Sequence, residues 1–518
     1  MTKKKKEENT LSYLQMPLPS GGKYSKMTKI SFGGLNKRHT IDSGDLSMES
    51  NISSKEYPYL TPSEQKNIVS DEYDYPISMF AFDNFILVVY RQNGAVKIDY
   101  ITEDYDVYTG VLKESGATSD DDYPRSIVQF NVYEQSNDIV NGKYTKKLLI
   151  FPDKMTMDFE ITANFTPDRM TNSTMPNIKY ATVHLSRLFG VSDDTVYASG
   201  FNDYANWTFD DALSYNESNA WMSKTQSNTK ADGNFTGIIN FQGHIVCFKR
   251  DYMHEIYNTK NPFRIQDIYA EGTIDNRTIQ DVDGKLIFVS EDDVKIYTGS
   301  NPRIIGYNLN MSQYEYAVSG NDNRSYYLYC EDNKGNRYLY VYDTYTELWS
   351  EQSIHSRVLS FAHNKNGMYM LCVDGYVYQL DTDRYGHSWS FETELITNKT
   401  VDIKHIKKLQ MLVDIPEYVN NYTNYAETTD KLANMQVYIL YDNEVFVDMN
   451  PSERAKRLVY SSNKHGKFPI RVKLRKTANY GFKLHIEGAG YVKIHELEIF
   501  VESGGDLYVW FKYQQYGF

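Results

Sequence analysis

The chain has 518 residues, too many for one compact core, so more than one domain is predicted. Lys and Arg number 55 against 68 Asp and Glu, a net charge of −13, so the surface as a whole repels phosphate and broad nucleic-acid binding is disfavoured. Aromatic residues make up 14% of the chain and favour strands over helices.

Residues 1–75 are predicted to be an extended N-terminal arm. This stretch is polar, contains Pro17 and Pro19, and carries its apolar residues as isolated anchors in Phe32–Asn36 and Tyr57–Leu60. Such a segment buries too little apolar surface to fold alone, so we expect it to lie on another surface. The basic run at the start has no apolar stretch behind it and does not fit a secretory signal.

From residue 76 the pattern becomes that of strands. Phe85–Tyr90 and Val96–Tyr100 are apolar runs on either side of Asn93-Gly94, and an Asn-Gly between two such runs indicates a β-hairpin. Two further strand units follow with polar insertions between them. Their strands are predicted at Ile127–Phe130, Lys147–Phe151, Ala181–Leu185, Leu188–Gly190 and Val196-Tyr197.

Four segments of the same build then repeat at almost constant spacing. Each is a small residue followed by five mostly apolar or aromatic ones: Gly243–Phe248, Gly284–Val289, Ser325–Cys330 and Gly367–Cys372. Their first residues are 41, 41 and 42 positions apart, and an aliphatic-tyrosine pair follows each segment after a polar turn. Repeats of about 40–45 residues with four strands each are typical of β-propeller blades. Three irregular and four regular units predict a seven-bladed β-propeller over residues 76–394.

Residues 395–518 are predicted to form a separate C-terminal β-sandwich domain. The repeat of about 40 residues ends after Trp389. Apolar residues then alternate with charged ones in Leu409–Val413, Phe468–Leu474 and Val492–Ile499. Alternation of this kind indicates strands with one face buried and one face in water. The whole chain is therefore expected to be all-β.

No catalytic, cofactor-binding or metal-binding residue is predicted. Cys247, Cys330 and Cys372 lie in the repeated apolar segments, and their odd number and expected burial argue against disulfides and against a cysteine metal site. His485 and His495 fall in alternating strands and are interpreted as ordinary surface positions. We expect a non-enzymatic protein without cofactors.

The acidic and basic runs of the sequence are mostly explained by structure and not by chemistry. The pair Asp292-Asp293 and the run 120–122 lack the alternating calcium-loop pattern and are expected to be solvated. Asp343–Trp349 is the nearest approach to a sialidase box but lacks its glycine, so a blade turn with Trp349 packed between blades is predicted. Basic residues are concentrated at 454–457, 464–467 and 471–476. They either form the solvent-exposed faces of strands or contact an acidic neighbouring subunit or a phosphate backbone.

Several motifs, in order, resemble propeller proteins of tailed bacteriophages. His184–Gly190, Thr195–Gly200 and Phe201–Trp207 resemble an R-L-F-G … V-Y-x-S … P-x-x-W segment of that family, although Asn202-Asp203 stand where a proline is common. The remaining matches cover most of the chain. They are Phe32–Asn36, Gly44–Asn51, Tyr57–Leu60, Gly284–Gly299, Pro302–Ile305, Lys473–Arg475 and Phe482–Gly488.

The resemblance is to tail hub or packaged-DNA stabilisation proteins, and it implies a structural role in the virion neck or tail. It implies a homo-oligomeric ring, expected to be a hexamer, that contacts portal, adaptor or tail-fibre proteins, with passive contact with genomic DNA in the channel and no membrane. In this reading the arm and the terminal domain join neighbouring copies. The alternative is a carbohydrate-binding or glycan-processing propeller that engages a bacterial surface glycan. A third option is a cellular interaction scaffold.

Overall fold

The computed structural model describes sixteen stretches of the chain. They are residues 14–15, 25–30, 32–38, 45–114, 124–134, 143–170, 174–210, 216–224, 233–269, 271–309, 314–382, 385–397, 403–416, 433–462, 464–474 and 479–503. Within them most of the regular structure is β-strand, and the chain forms two compact units. The repeat unit comprises Lys66–Thr344 and Ile354–Thr382, and the terminal unit comprises Met1–Gln65, Tyr345–Ser353 and Asp383–Phe518.

Six short strands come from the predicted arm. They are β1 Leu14–Gln15, β2 Ser25–Ile30, β3 Leu46–Ser50, β4 Ile52–Ser53, β5 Thr61–Pro62 and β6 Asn67–Ile68. Pro17 and Pro19 lie outside the described residues.

Seven four-stranded sheets, numbered 1 to 7, follow along the described chain. Sheet 1 has β7 Pro76–Phe82, β8 Phe85–Gln92, β9 Ala95–Thr102 and β10 Val107–Lys113. Sheet 2 has β11 Ser126–Glu134, β12 Lys143–Phe151, β13 Met155–Asp158 and β14 Asp168–Arg169. Sheet 3 has β15 Tyr180–His184, β16 Arg187–Ser192, β17 Thr195–Ala198 and β18 Trp221–Lys224. Sheet 4 has β19 Phe235–Phe241, β20 His244–Lys249, β21 Met253–Tyr257 and β22 Arg264–Tyr269.

The last three sheets complete the series. Sheet 5 has β23 Gln280–Val282, β24 Lys285–Val289, β25 Val294–Tyr297 and β26 Arg303–Ile304. Sheet 6 has β27 Tyr314–Asn321, β28 Ser325–Asp332 and β29 Arg337–Asp343, and its fourth strand is β30 Leu348–Gln352 from the segment Tyr345–Ser353. Sheet 7 has β31 Val358–Asn364, β32 Gly367–Cys372 and β33 Val377–Gln379, and β6 is its fourth strand. The four repeated segments are therefore the second strands of sheets 4 to 7, as their common pattern predicts.

The predicted hairpin is confirmed in sheet 1. Strands β8 and β9 pair in antiparallel register through Gln92 and Ala95, which leaves Asn93 and Gly94 as the two turn residues. Both have positive φ, 52° and 79°, which Asn and Gly tolerate better than other residues do. The sequence of the turn thus sets the register of the first sheet.

Hydrophobic clusters join neighbouring sheets of the repeat unit. Phe85 and Leu148 share a cluster between sheets 1 and 2, and comparable clusters join sheets 2 and 3, 3 and 4, 4 and 5, and 6 and 7. Between sheets 5 and 6 the Gln280 side chain on β23 donates to the Ser319 carbonyl on β27 at 3.2 Å. Sheet 7 packs against sheet 1 through a cluster that includes Leu371 and Val88. The series of sheets therefore returns to its start.

The terminal unit contains two five-stranded sheets. Its later strands are β34 Ser388–Thr393, β35 Lys404–Ile415, β36 Asn434–Tyr441, β37 Leu458–Ser462, β38 Gly466–Lys473, β39 Phe482–Ala489 and β40 Lys493–Ser503. The β35 sheet has the order β1-β2-β40-β35-β38, and the β36 sheet has the order β3-β34-β39-β36-β37. Leu409 and Leu497 of the first sheet and Phe391 and Ile486 of the second belong to one hydrophobic cluster. The two sheets thus share a core.

Residues 1–65 of the predicted arm belong to this terminal unit, whereas β6 belongs to the repeat unit. Strand β2 pairs with β40 and β3 pairs with β34, while Leu60 forms a bridge with Ile494. Its isolated apolar anchors Phe32 and Leu60 are buried in the shared core. The boundaries of the two units accordingly differ from the predicted boundaries at 75 and 394, because residues before 66 complete sheets whose other strands lie about 340–480 positions later.

One helix was not predicted. Helix α1, Pro451–Arg457, interrupts the strands after a 3-10 turn at Phe446–Asp448, and another 3-10 turn lies at Asn276–Thr278. The Asn450 side chain accepts from the Glu453 N–H and the Glu453 side chain accepts from the Asn450 N–H, with Pro451 at the first helical position. This Asn-Pro-Ser-Glu capping box was readable from the sequence. No helix among the described residues is long and apolar enough to cross a membrane.

Candidate functional site

The motif that carries the phage resemblance surrounds a buried arginine. Arg187 begins β16 and is only 2% exposed. Its Nη1 donates to the carbonyls of Ser199 at 2.6 Å and Asn219 at 2.8 Å, and its Nη2 donates to the carbonyl of Glu217. The guanidinium also lies 5.6 Å from the centroid of the Phe263 ring. Because guanidinium presents several donors in a fixed fork, one side chain holds two separate loops against sheet 3.

The small residues of the same motif mark close packing. A Cβ on Gly190 would lie 2.5 Å from Ile178, and a Cβ on Gly200 would lie 2.6 Å from Asn206. Where the family commonly has proline, Asn202 has a φ of 57° and its N–H donates to the Ser186 carbonyl at 2.8 Å. Proline has neither that φ nor an N–H, so this loop as it stands does not accommodate a proline at Asn202. The motif therefore specifies how sheet 3 packs.

A buried acid joins sheets 4 and 5. Glu255 on β21 is 2% exposed and accepts from the hydroxyls of Tyr257 and of Tyr297, which lies on β25. His244 Nε2 lies 3.5 Å from Glu255 Oε1, and its ring stacks on Tyr257 with centroids 4.9 Å apart. The carboxylate is thus occupied by structural donors, and the cluster acts as a polar connection between the two sheets.

The terminal unit holds a second cluster of ionisable groups, around His485. The prediction that His485 is a surface position is wrong, since it is 2% exposed and stacks on Phe446 with centroids 3.7 Å apart. Its Nε2 lies 3.5 Å from Glu487 Oε2 and its Nδ1 lies 3.6 Å from Glu392 Oε2. The alternating pattern was read correctly, but the segment containing Phe446 covers the outward face there. His495 is half-buried and contacts the Tyr59 ring edge to face.

Opposing effects set the ionisation of this cluster. Burial lowers the pKa of His485, but the carboxylates of Glu392 and Glu487 outweigh it and hold that pKa above its usual value. His485 in turn lowers the pKa of Glu487. Burial raises the pKa of Glu392, yet His485 and Lys483 bring it below its usual value. The histidine and the two carboxylates thus favour each other's charged forms, beside a polar cavity of about 420 Å³ that Glu487 also lines.

The predicted free thiols are confirmed. Cys247, Cys330 and Cys372 are all buried and unbridged. Burial raises the pKa of the Cys372 thiol to about 12, so the reactive thiolate is suppressed at neutral pH.

The acidic runs have local partners. The Ser290 hydroxyl donates to Asp292 at 2.6 Å, and the Val294 N–H donates to Asp293 at 2.7 Å. The run 120–122 lies outside the described residues. Among described residues no group of three or more His, Cys, Asp or Glu side chains is arranged to hold a metal ion.

Asp343–Trp349 contains the predicted turn. Asp343 ends β29, residues 344–347 form the turn, and Trp349 is buried on β30. The Trp349 carbonyl accepts from the Leu35 N–H at 2.9 Å. Within the terminal unit, Trp349 is therefore hydrogen-bonded to a residue of the N-terminal segment.

The basic residues divide between a helix and the exposed face of a strand. Arg457 on α1 pairs with Glu444, and Arg454 lies over the Phe446 ring at 4.5 Å. On β38, Lys467, Arg471 and Lys473 are exposed and alternate with buried or partly buried residues. Residues 475 and 476 of the predicted run lie outside the described residues.

Comparisons with known proteins show no family. No family model matches the chain, and no curated protein matches it. The WD40 domain of Toxoplasma gondii coronin is 9% identical with a TM-score of 0.25, over 67% of this chain and 74% of that one. BamB from Moraxella catarrhalis is 9% identical with a TM-score of 0.34, over 64% and 96%.

A puromycin-hydrolysing peptidase of Mycobacterium tuberculosis is 10% identical with a TM-score of 0.34, over 62% of this chain and 57% of that chain. At such TM-scores these likenesses carry no argument. The description of the fold therefore rests on the strand pairing and the packing of the sheets.

Proposed function

We propose that the repeat unit is a seven-bladed β-propeller and that the two sheets of the terminal unit form a β-sandwich. Support for the propeller comes from the seven four-stranded sheets, from the packing of sheet 7 on sheet 1, and from β6, which completes sheet 7 from the N-terminal side. A circle closed in this way leaves only short sheet edges and cannot open without breaking a sheet. Support for the sandwich comes from the shared core.

We further propose that the protein is a structural component of the neck or tail of a tailed bacteriophage. Its ring of copies, expected to be six, would connect tail components without catalysing a reaction. The observation that supports this most is the ordered sequence resemblance, whose motif residues Arg187, Gly190 and Gly200 hold the fold instead of lining a reactive site. A rigid circle of sheets suits a part whose task is mechanical.

The arm favours a revised assembly scheme. Because β2 and β3 pair within their own chain, they are not free to pair with a neighbouring copy. We assign the contact between copies to the exposed basic face of β38, formed by Lys467, Arg471 and Lys473, against an acidic surface of the next copy. Ring closure requires such head-to-tail contacts between two different surfaces, and the net charge of −13 supplies acidic partners.

The test combines assembly with location. Native mass spectrometry and electron microscopy of the purified chain are expected to show a closed ring, and mass spectrometry of phage particles that carry the gene is expected to find the protein in the virion. Arg471→Glu is expected to shift the equilibrium to monomers, whereas Lys334→Glu, which makes the same change in charge at an exposed turn of the repeat unit, leaves the ring intact. A chain that stays monomeric at high concentration and is missing from virions overturns the proposal.

The alternative, a carbohydrate-binding propeller, is supported by aromatic side chains in the repeat unit. Tyr75, Tyr105 and Tyr307 are 79%, 54% and 63% exposed, and exposed rings can stack on sugars. Loss of glycan binding on their replacement with Ala, in a protein absent from virions, would favour this function over the structural one.

A further inference from the structure

We propose that the outer face of the β36 sheet carries a binding site for a neutral saccharide. The site is the cavity of about 420 Å³ in the terminal unit, a volume typical of small-molecule sites, which span about 300–1,000 Å³. Its polar lining consists of Ser50, Ser388, Ser390, Asn434, Gln436 and Glu487. This function is independent of a role in the virion, and the residues of the site all belong to the terminal unit.

The strand register brings these side chains together. Ser50 pairs with Ser390, Ser390 with Glu487, and Glu487 with Gln436, so four neighbouring strands each contribute one residue to a single row. Residues in register lie on the same face of a sheet. Their neighbours Trp389 and Met435 belong to the core, so the row faces outward.

Small side chains create the depression. Beside the row, Ser388 and Asn434 both pair with Ala489, which adds a second set of short side chains on the same face. On the opposite side of the row the sheet carries the larger His485 and Tyr438. The change from large to small side chains along one face leaves space above the small ones.

Most of the hydrogen-bonding groups in the cavity are free to meet a ligand. Within the described part of the chain, no hydrogen bond engages the side chains of Ser50, Ser388, Ser390 and Asn434. Gln436 accepts from the Tyr438 hydroxyl through its oxygen, which leaves its NH₂ group as a donor. Three hydroxyls and two carboxamides offer donors and acceptors at short intervals, which is the chemistry that binds several sugar hydroxyls at once.

The charges of the lining favour a neutral ligand. Among the described residues that line the cavity there is no Lys or Arg, so this part of the lining offers no cation to a phosphate or a sugar acid. Among the described lining residues the one carboxylate is Glu487, which shares the Tyr438 hydroxyl proton with Gln436 and lies 3.5 Å from His485 Nε2, so its charge has a partner within the protein. An ammonium ligand would have to compete with that histidine.

Strand addition is excluded as a mode of binding. Strands β34, β39 and β36 each pair on both sides within the β36 sheet, so their main chains present no free edge to a peptide. A ligand in the cavity must therefore be recognised by side chains. Among the described lining residues the one aromatic side chain, Trp389, belongs to the core and offers no stacking platform, so a single sugar is expected to bind with a Kd on the order of 1 mM.

The test uses saturation-transfer NMR on the full chain with maltotriose, N,N′,N″-triacetylchitotriose and mannotriose, each at about 10 mM, a concentration that would occupy so weak a site. At least one of these neutral sugars is expected to receive saturation. Ser390→Leu, which fills the cavity from its floor, is expected to weaken that binding at least tenfold, and Gln436→Ala is expected to weaken it several-fold. Ser223→Leu, a matched change on the outer strand β18 of sheet 3, is expected to leave it unchanged.

Three results would overturn the proposal. They are the absence of transfer to all three sugars, equal transfer in wild type and both cavity variants, and binding of inorganic phosphate that Ser390→Leu abolishes. Gln436→Ala keeps the test decisive if Ser390→Leu disturbs folding, because Gln436 projects from the outer face and its truncation leaves the core intact. Ring assembly and presence in virions are measured separately, so either proposal can fail alone.

Discussion

Replacing Arg187 with Met is expected to destabilise the repeat unit by about 3–5 kcal/mol. The guanidinium donates to three main-chain carbonyls in a site that is 2% exposed. A hydrogen bond from a charged group is worth about 1.5–3 kcal/mol, and carbonyls left buried without a donor lose more. Removing the buried charge also relieves its desolvation cost, which keeps the net loss below the simple sum.

Thermal unfolding followed by circular dichroism measures this loss. For a unit of this size about 2 °C of Tm accompanies each kcal/mol, so Arg187→Met is expected to lower the Tm by about 6–10 °C. Arg169→Met is the matched control, since Arg169 is exposed on β14 and surface changes stay within about 0.5 kcal/mol. Arg187→Lys keeps the charge without the fork and is expected to fall between the two. Equal Tm values for the Arg187→Met and Arg169→Met variants would refute a fold-holding role for the motif.

Three further outcomes follow from buried groups. Burial, followed by the nearby Glu351 charge, raises the pKa of Glu49 well above its usual value, so ionisation of Glu49 destabilises the fold as pH rises. Glu49→Gln is expected to raise the free energy of unfolding by about 1–2 kcal/mol at pH 8 and to leave it unchanged at pH 4. A lower Tm of the variant at pH 8 would contradict this. Because its pKa is raised in the folded state, His485 stabilises the fold fully below a pH of about 6.5, and this stabilisation is lost as pH rises through the folded pKa. The Tm is therefore expected to fall over that pH range in the wild type, and His485→Gln is expected to remove this fall. An unchanged fall in Tm would count against the cluster. A Cβ on Gly272 would lie 2.1 Å from a main-chain carbonyl oxygen, so Gly272→Ala is expected to lower the free energy of unfolding, measured with denaturant, by about 3 kcal/mol. Gly386→Ala is the control, because its Cβ meets only the end of a flexible side chain. Equal losses in the two variants would show that the crowding at Gly272 is harmless.

Local signals predicted the repeat unit well. The pattern of a small residue and five apolar ones identified the second strand of sheets 4 to 7, because a strand buried on both faces reads as a continuous apolar run. Asn93-Gly94 identified the first hairpin because its turn geometry needs residues that tolerate positive φ. Both signals are contained in a few neighbouring residues.

The features that were missed depend on distant partners. Strand β3 pairs with β34 across more than 300 positions, and the short polar segment around it gives no periodic signal of its own. His485 was predicted to be solvent-exposed because the segment that covers it, which contains Phe446, lies about 40 residues away along the chain. The polar cavity on the β36 sheet likewise depends on the register of four strands, which no single stretch of sequence contains.

Cryo-electron microscopy of phage particles that carry this gene tests the proposed function most directly. We expect a closed ring of copies around the tail axis, with seven four-stranded blades resolved in each copy and the basic face of β38 at the contact between copies. Particles with complete necks and tails that contain no density for this chain would contradict the account.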